Sequence, residues 1–301
     1  MSIFLQHTVN GLSLGAIYAL IALGYTMVYG ILQFINFAHG EIFMLGAYIG
    51  YFIGNALGLN DDHNSLGAFL FTLSATMLGC AIFGFIVERL AYRPLRKAAR
   101  INVLITAVGV SFLLQFGGQM LFGTNPRPFP TLVDINKSFH VAGVQIDAIQ
   151  ILVFTVTIFL MLFLEFILFR TKVGKAMRAV SHNHDVAQLL GIHVGLIISV
   201  TFMLGSSLAG AAGILVGLSY PKIDPLMGTM FGLKAFVAAV LGGIGNIRGA
   251  VVGALIMGLS EQLIVGYGMP NFRDALAFIL LILILIFRPK GLLGKTVAEK
   301  V

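Results

Sequence analysis

Charge is scarce in this chain. Of its 301 residues only 10% are Asp, Glu, Lys or Arg, while 58% are hydrophobic. A soluble domain carries about 25% charged and about 45–50% apolar residues. This chain cannot cover itself with polar surface in water, and most of its length belongs in lipid. Cysteine is nearly absent: Cys80 is the single one. That excludes an intramolecular disulfide and leaves the redox compartment open. Nucleotide motifs are missing as well. The "GKT" at 294–296 has Pro289 where a phosphate loop needs its first glycine. The "GGIGNIRG" at 242–249 is spaced one residue too long for a dinucleotide fingerprint, and no strand precedes either motif. The Gly-x-Ser-x-Gly pattern falls at 11–15, inside the first apolar run rather than on a strand-to-helix turn, no His-Glu-x-x-His occurs, and no nucleophile–base set suggests a membrane enzyme. His182, His184 and His193 have no recognised ligand spacing and no cysteine beside them, so they read as solvated loop histidines rather than a metal site. The N-terminal "MSIFLQHTVNG" lacks a positive n-region and a small-residue cleavage site, so the first apolar run is expected to stay as a spanning helix.

What is present is a series of apolar runs. Spans of about 20 residues are expected near 9–31, 42–58, 66–87, 102–122, 149–169, 197–218, 229–244, 249–266 and 274–288. The fold class is therefore all-α: a polytopic integral membrane protein of about 8–9 transmembrane helices, with broken or re-entrant segments near 33–41 and 241–249. The whole chain, 1–301, forms one transmembrane domain, with an outer loop at about 123–148 and a cytoplasmic loop at about 170–196. Pro126, Pro128 and Pro130 exclude a regular helix in the outer loop. The 36 glycines suit close helix packing; Gly46, Gly50, Gly54 and Gly58 fall on one face, as do Gly245, Gly249 and Gly253.

Fourteen of the nineteen Lys and Arg fall in the loops at 88–100, 170–196 and 244–249 and in the C-terminal tail. Arg127, Lys137, Lys222 and Arg273 lie on the opposite side, and Lys234 lies within a span. The bias puts the basic side in the cytoplasm, with the N-terminus out and the C-terminus in. Asp61, Asp62, Asp134, Asp147, Asp224 and Asp274 then all fall outside. The net charge of +7 is thus explained by membrane orientation rather than by nucleic acid.

Ionisable groups inside spans are costly and point to function. Here they are Glu41, Lys234 and Glu261, the last two as a structural ion pair or as part of a pathway. Glu165, near a span end, is expected to snorkel to the interface. In "QFINFAHGE", 33–41, the polar groups of Gln33, Asn36, His39, Gly40 and Glu41 alternate with Phe34, Ile35 and Phe37. Irregular backbone at this depth is tolerated only in protein or beside a cavity, and Gly40 permits a bend. Gly243 and Gly245 mark a second break, and Phe37 and Phe236 offer apolar walls. In the loop 170–196, Val173, Ala176, Met177 and Val180 form an apolar face at helical spacing. Asp185 is placed to cap a short helix, 186–190, and Gly191 to end it. This helix–turn–helix reads as a surface loop or as a docking element for a cytoplasmic partner.

The segments "GYTMVYGILQFINFAHGEIFMLGAY" (24–48), "ERLAYRPLR" (88–96), "LLGI" (189–192), "KAFVAAVLGGIGNIRGAVVGALIMG" (234–258) and "RPKGLLG" (288–294) resemble the LivH-type permeases of bacterial branched-chain amino-acid ABC importers. The resemblance implies a non-catalytic subunit of the bacterial inner membrane that pairs with a second, related permease. It implies two cytoplasmic ATP-binding subunits that use the ATP, a periplasmic or lipid-anchored substrate-binding protein, and no cofactor on this chain. It implies that Gly174, Lys175, Arg178, Asp185, Leu190 and Gly191 belong to the loop that rests on the ATPases. Urea, short amides or other amino acids are the alternative solutes within the same class, and an ion-coupled secondary transporter is the alternative of another class.

Overall fold

The computed structural model describes residues 2–59, 65–96, 98–133, 138–141 and 143–294. The side assignments of Asp61, Asp62, Asp134, Lys97, Lys137, Lys295 and Lys300, and the Thr296 end of "GKT", lie outside the described residues. The helices are α1 (Ser2–Leu32), α2 (His39–Ala56), α3 (Leu66–Val87), α4 (Arg100–Phe122), α5 (Ala148–Arg170), α6 (Lys172–His182), α7 (His184–Leu189), α8 (Val194–Ser219), α9 (Met227–Gly242), α10 (Ile247–Gly266) and α11 (Arg273–Phe287). Each of the nine expected apolar segments lies on one of them. Among the described residues, seven helices are long and apolar enough to cross a membrane, and α2 and the 16-residue α9 fall outside that set. The chain is a multi-pass membrane protein.

The α1 helix is the axis of the bundle. It is apolar all round and buried from residue 13 to residue 28, with α5, α8, α9 and α10 packed about it. Small residues allow the closest approaches. A Cβ at Gly11 would sit 2.8 Å from the Leu259 Cα, and one at Gly15 would sit 2.9 Å from the Leu255 Cα. The stripe on α2 is likewise a packing stripe as far as Gly54, whereas Gly58 lies past the helix end at φ 64°, where a Cβ would meet nothing within 4 Å. A Cβ at Gly46 would lie 2.5 Å from the Gly210 Cα of α8, and one at Gly50 would lie 2.8 Å from Ile214.

The loop 123–148 is extended where it is described, as its prolines require. In it β1 (Arg127–Pro128) pairs antiparallel with β4 (Lys222–Ile223), and β2 (Ser138–Val141) pairs with β3 (Val144–Asp147). Phe129 and Leu132 turn back into the bundle, where Phe129 fills the space left by Gly217, and Pro130 and Leu132 the space left by Gly54.

Residues 88–95 correct the expected cytoplasmic loop. Helix α3 continues through a π-turn, Glu88–Tyr92, and a 3-10 turn, Arg93–Leu95. Glu88 is fully buried, because Arg96 pairs with it and Ser199 donates to it at 2.6 Å. The pairing draws the start of this basic segment back onto α8.

Candidate functional site

The first candidate region is the interruption between α1 and α2. Gln33 has φ 54°, which reverses the chain. Residues 33–38 then fold back into the bundle, so that His39 lies against Gly24. That is eight residues before the end of α1, about 12 Å along its axis at ~1.5 Å per residue. The start of α2 is therefore inside the protein, with Asn36, His39 and Glu41 each no more than 2% exposed. Gly40 does not serve as the bend. It is already helical, and it lets α2 meet α9: a Cβ there would lie 2.5 Å from the Gly228 carbonyl and 3.0 Å from the Gly232 Cα.

The polar groups here are only partly satisfied. Tyr92 donates to Asn36 Oδ1 at 2.6 Å. Glu41 Oε1 accepts from Thr229 at 3.3 Å and from Ser111 at 3.5 Å. Among the described residues, Asn36 Nδ2, His39 Nε2 and Glu41 Oε2 are buried without a partner. Buried polar atoms are normally paired, so three such atoms within six residues make this seam a candidate site. Glu41 lies in the first turn of α2. The aromatic wall is present: Phe37 and Phe236 lie 6.2 Å apart, and Tyr25 packs edge-on to His39 at 4.7 Å.

The second region is a buried charge cluster. Lys234 Nζ lies 3.0 Å from Glu261 Oε1 and 2.7 Å from Asp274 Oδ1, so one ammonium joins α9, α10 and α11. Tyr18 donates to Glu261 Oε2 at 2.8 Å, and Arg273 also pairs with Glu261. Sequence reasoning found Lys234 and Glu261 from their depth but missed Tyr18, Arg273 and Asp274. Nothing in the spacing places the start of α11 over α9. Glu165, expected to snorkel, also has a partner, Arg248 at 2.9 Å on the surface.

The interruption near 241–249 is a tight turn, 243–246, between α9 and α10. Gly243 and Gly245 have φ 106° and 92° and serve that turn. Asn246 caps α10 by accepting from Arg248 and Gly249. The tail covers the end of α9: Leu292 and Leu293 donate to the Leu241 and Gly242 carbonyls at 2.9 and 3.0 Å, and Asn246 donates to Leu293 at 2.7 Å. The "RPKGLLG" segment thus supplies the partners that a helix C-terminus lacks.

The third region is the loop 170–196, which forms α6 and α7. Thr171 caps α6 by accepting from Gly174, and Gly174 fits against the Ile167 and Leu168 carbonyls, where no Cβ has room. Arg178 donates to the Leu168 carbonyl and lies over the Phe169 ring at 5.2 Å, while Lys175 is exposed. Gly174, Met177 and Val180 are buried, but Val173 is 40% exposed, so the buried face omits it. The expected cap is also corrected. Asn183, not Asp185, caps α7: its extended backbone carries Oδ1 to the N–H groups of Asp185 and Val186 at 2.9 and 3.0 Å. Asp185 sits two residues on, in the first turn of α7 and in the field of the helix N-terminus. Gly191 ends the helix at φ 80°, donating to the Gln188 carbonyl at 3.0 Å. His184 is not simply solvated: its Nε2 lies 2.9 Å from the Ile31 carbonyl, the last turn of α1 before the interruption. Val186, Leu189 and Leu190 are left exposed, Leu189 by 87%.

Comparison with known proteins fits this geometry. The family described as "Branched-chain amino acid transport system / permease component" matches residues 7–285. The "High-affinity branched-chain amino acid transport system permease protein BraD" of Pseudomonas aeruginosa is 42% identical over 99% of this chain and 98% of its own. The corresponding LivH protein of Escherichia coli is 41% identical over 99% and 98%. A probable LivH of Methanocaldococcus jannaschii is 28% identical over 91% and 88%. With a match that runs from the first turns of α1 into α11, the chain belongs to the family of permease components of branched-chain amino-acid transport systems.

Proposed function

We propose that the chain is the membrane-spanning permease subunit of an ATP-driven, binding-protein-dependent importer of branched-chain amino acids (leucine, isoleucine and valine). Its place is the bacterial inner membrane, N-terminus out and C-terminus cytoplasmic. Its partners are a second, related permease, two cytoplasmic ATP-binding subunits and a periplasmic or lipid-anchored substrate-binding protein. The chain binds no cofactor and catalyses no reaction; ATP is used by the partner subunits.

The observation that carries this reading is α7. Val186, Leu189 and Leu190 are exposed at one end of the bundle, amid the most basic loops, on a short helix held rigidly by Asn183 and Gly191. A connection between two spans needs only a few residues, so a rigid helix with an apolar tip is a surface for another protein. Gly174, Lys175, Arg178, Asp185, Leu190 and Gly191 shape or surround that surface. His184 links it to the Ile31 carbonyl, and through it to the interruption at 33–38. The solute passes along α9, between the Lys234–Glu261 cluster and the seam of Gln33, Asn36, Phe37, His39, Gly40, Glu41 and Phe236; Gly243 and Gly245 close α9 at its far end.

Mild extraction of the tagged chain, followed by mass spectrometry, tests the assembly. A related permease and P-loop ATPases in the same complex are expected. A lone chain or a homo-oligomer, found even after cross-linking in cells, would contradict it.

A further inference from the structure

A cavity of about 270 Å³ opens between α8, α9 and α11, at the end of the bundle opposite the basic loops. We infer that it is a waypoint that binds the incoming solute as a zwitterion, through exchange of the Lys234–Asp274 ion pair. The inference rests on the proposed function and names which end of the solute meets which group.

The lining divides by chemistry. Lys222, Lys234 and Arg273 supply positive charge, and Asp224 and Asp274 supply negative charge. Glu261, buried behind them, brings the set to neutrality. Such a wall favours neither a net anion nor a net cation. It suits a molecule that carries both charges a few ångströms apart. The apolar lining comes from Met227, Met230 and Phe231. Methionine is flexible and adapts to differently branched aliphatic groups. The volume is near the small end of ligand pockets, about 300 Å³ and upward, as a single amino acid requires.

The two carboxylates on Lys234 differ in kind. Glu261 is wholly buried and is held also by Tyr18 and Arg273, so that pair is fixed. The Asp274 side chain is 54% exposed, where an ion pair contributes little and exchanges readily. A solute ammonium can therefore replace Lys234 on Asp274, while the solute carboxylate takes the released Lys234 ammonium. One ion pair becomes two, and no buried charge is left unmatched. Urea or a short amide has no charge to offer in this exchange.

The test uses the assembled complex in nanodiscs, without the binding protein. A Met230→Cys variant places a thiol at the wall; Met230 is 48% exposed, and the native Cys80 is buried. The rate of modification by a cationic thiosulfonate is read on this chain's band. Millimolar leucine is expected to slow modification several-fold. Its one-charge analogues, 4-methylpentanoate and isopentylamine, and urea should not, and Asp274→Asn in the same background should remove the protection. Lack of modification, modification that leucine leaves unchanged, or equal protection by the one-charge analogues would overturn the inference. Leucine uptake by the unsubstituted complex, with its binding protein restored, separates the two readings. Uptake without protection sinks only the waypoint, whereas no leucine uptake sinks the proposed function.

Discussion

Glu261→Leu is expected to lower the stability of the purified chain by about 3 kcal/mol, near the lower end of the cost of removing one partner from a buried ion pair. Glu261 is fully buried and pairs with both Lys234 and Arg273, while Tyr18 donates to its second oxygen. Its loss leaves Lys234 with Asp274 alone and Arg273 without a carboxylate. The lower end applies because Arg273 is about one-third exposed and can turn to water. For a chain of this size the change corresponds to a fall in Tm of roughly 5 °C, measurable by thermal unfolding in detergent. The double variant Glu261→Leu with Lys234→Met should recover part of the loss, since apolar groups of similar volume can replace a buried pair at little cost. An unchanged Tm in the single variant would show that the cluster is not buried as described.

Gly40→Val is expected to reduce solute uptake by about tenfold or more while the chain still inserts. At Gly40 the backbones of α2 and α9 touch, and the atoms a Cβ would meet are the Gly228 carbonyl and the Gly232 Cα. Neither is the end of a flexible side chain, so the helices must part. Overpacking of this kind costs about 1–3 kcal/mol, and ~1.4 kcal/mol is tenfold in an equilibrium. The displaced groups include Glu41 and His39, the unsatisfied polar groups of the seam. Gly109→Val on α4 is the control, because a Cβ there meets nothing within 4 Å. Transport assays with membrane levels checked by immunoblot decide the matter. Equal uptake by the Gly40 and Gly109 variants would remove the seam from the pathway.

The apolar runs made the helices legible, because length and lack of charge are local properties. Glu41, Lys234 and Glu261 were legible for the same reason: a charge in a span stands out in one dimension. The partners were not. Asp274 and Arg273 read as outer-loop charges, and only the packing of α11 on α9 brings them to Lys234. The role of Gly40 was misread because a glycine that permits a bend and a glycine that admits a neighbouring backbone look alike in sequence. Asn183 was passed over for Asp185 because both are good caps two positions apart, and backbone geometry alone chooses between them. The burial of Phe129 and Leu132, from the loop 123–148, left no periodic signal at all.

Transport of branched-chain amino acids through this chain at the expense of ATP used by its partners is tested most directly by reconstitution. Proteoliposomes holding the full complex, with binding protein outside, should accumulate labelled leucine only when ATP is enclosed, and should continue to do so after ion gradients are collapsed. Leucine accumulation without ATP, driven by a proton or sodium gradient, would contradict it and make the Lys234–Glu261 cluster the first place to look for the coupling ion.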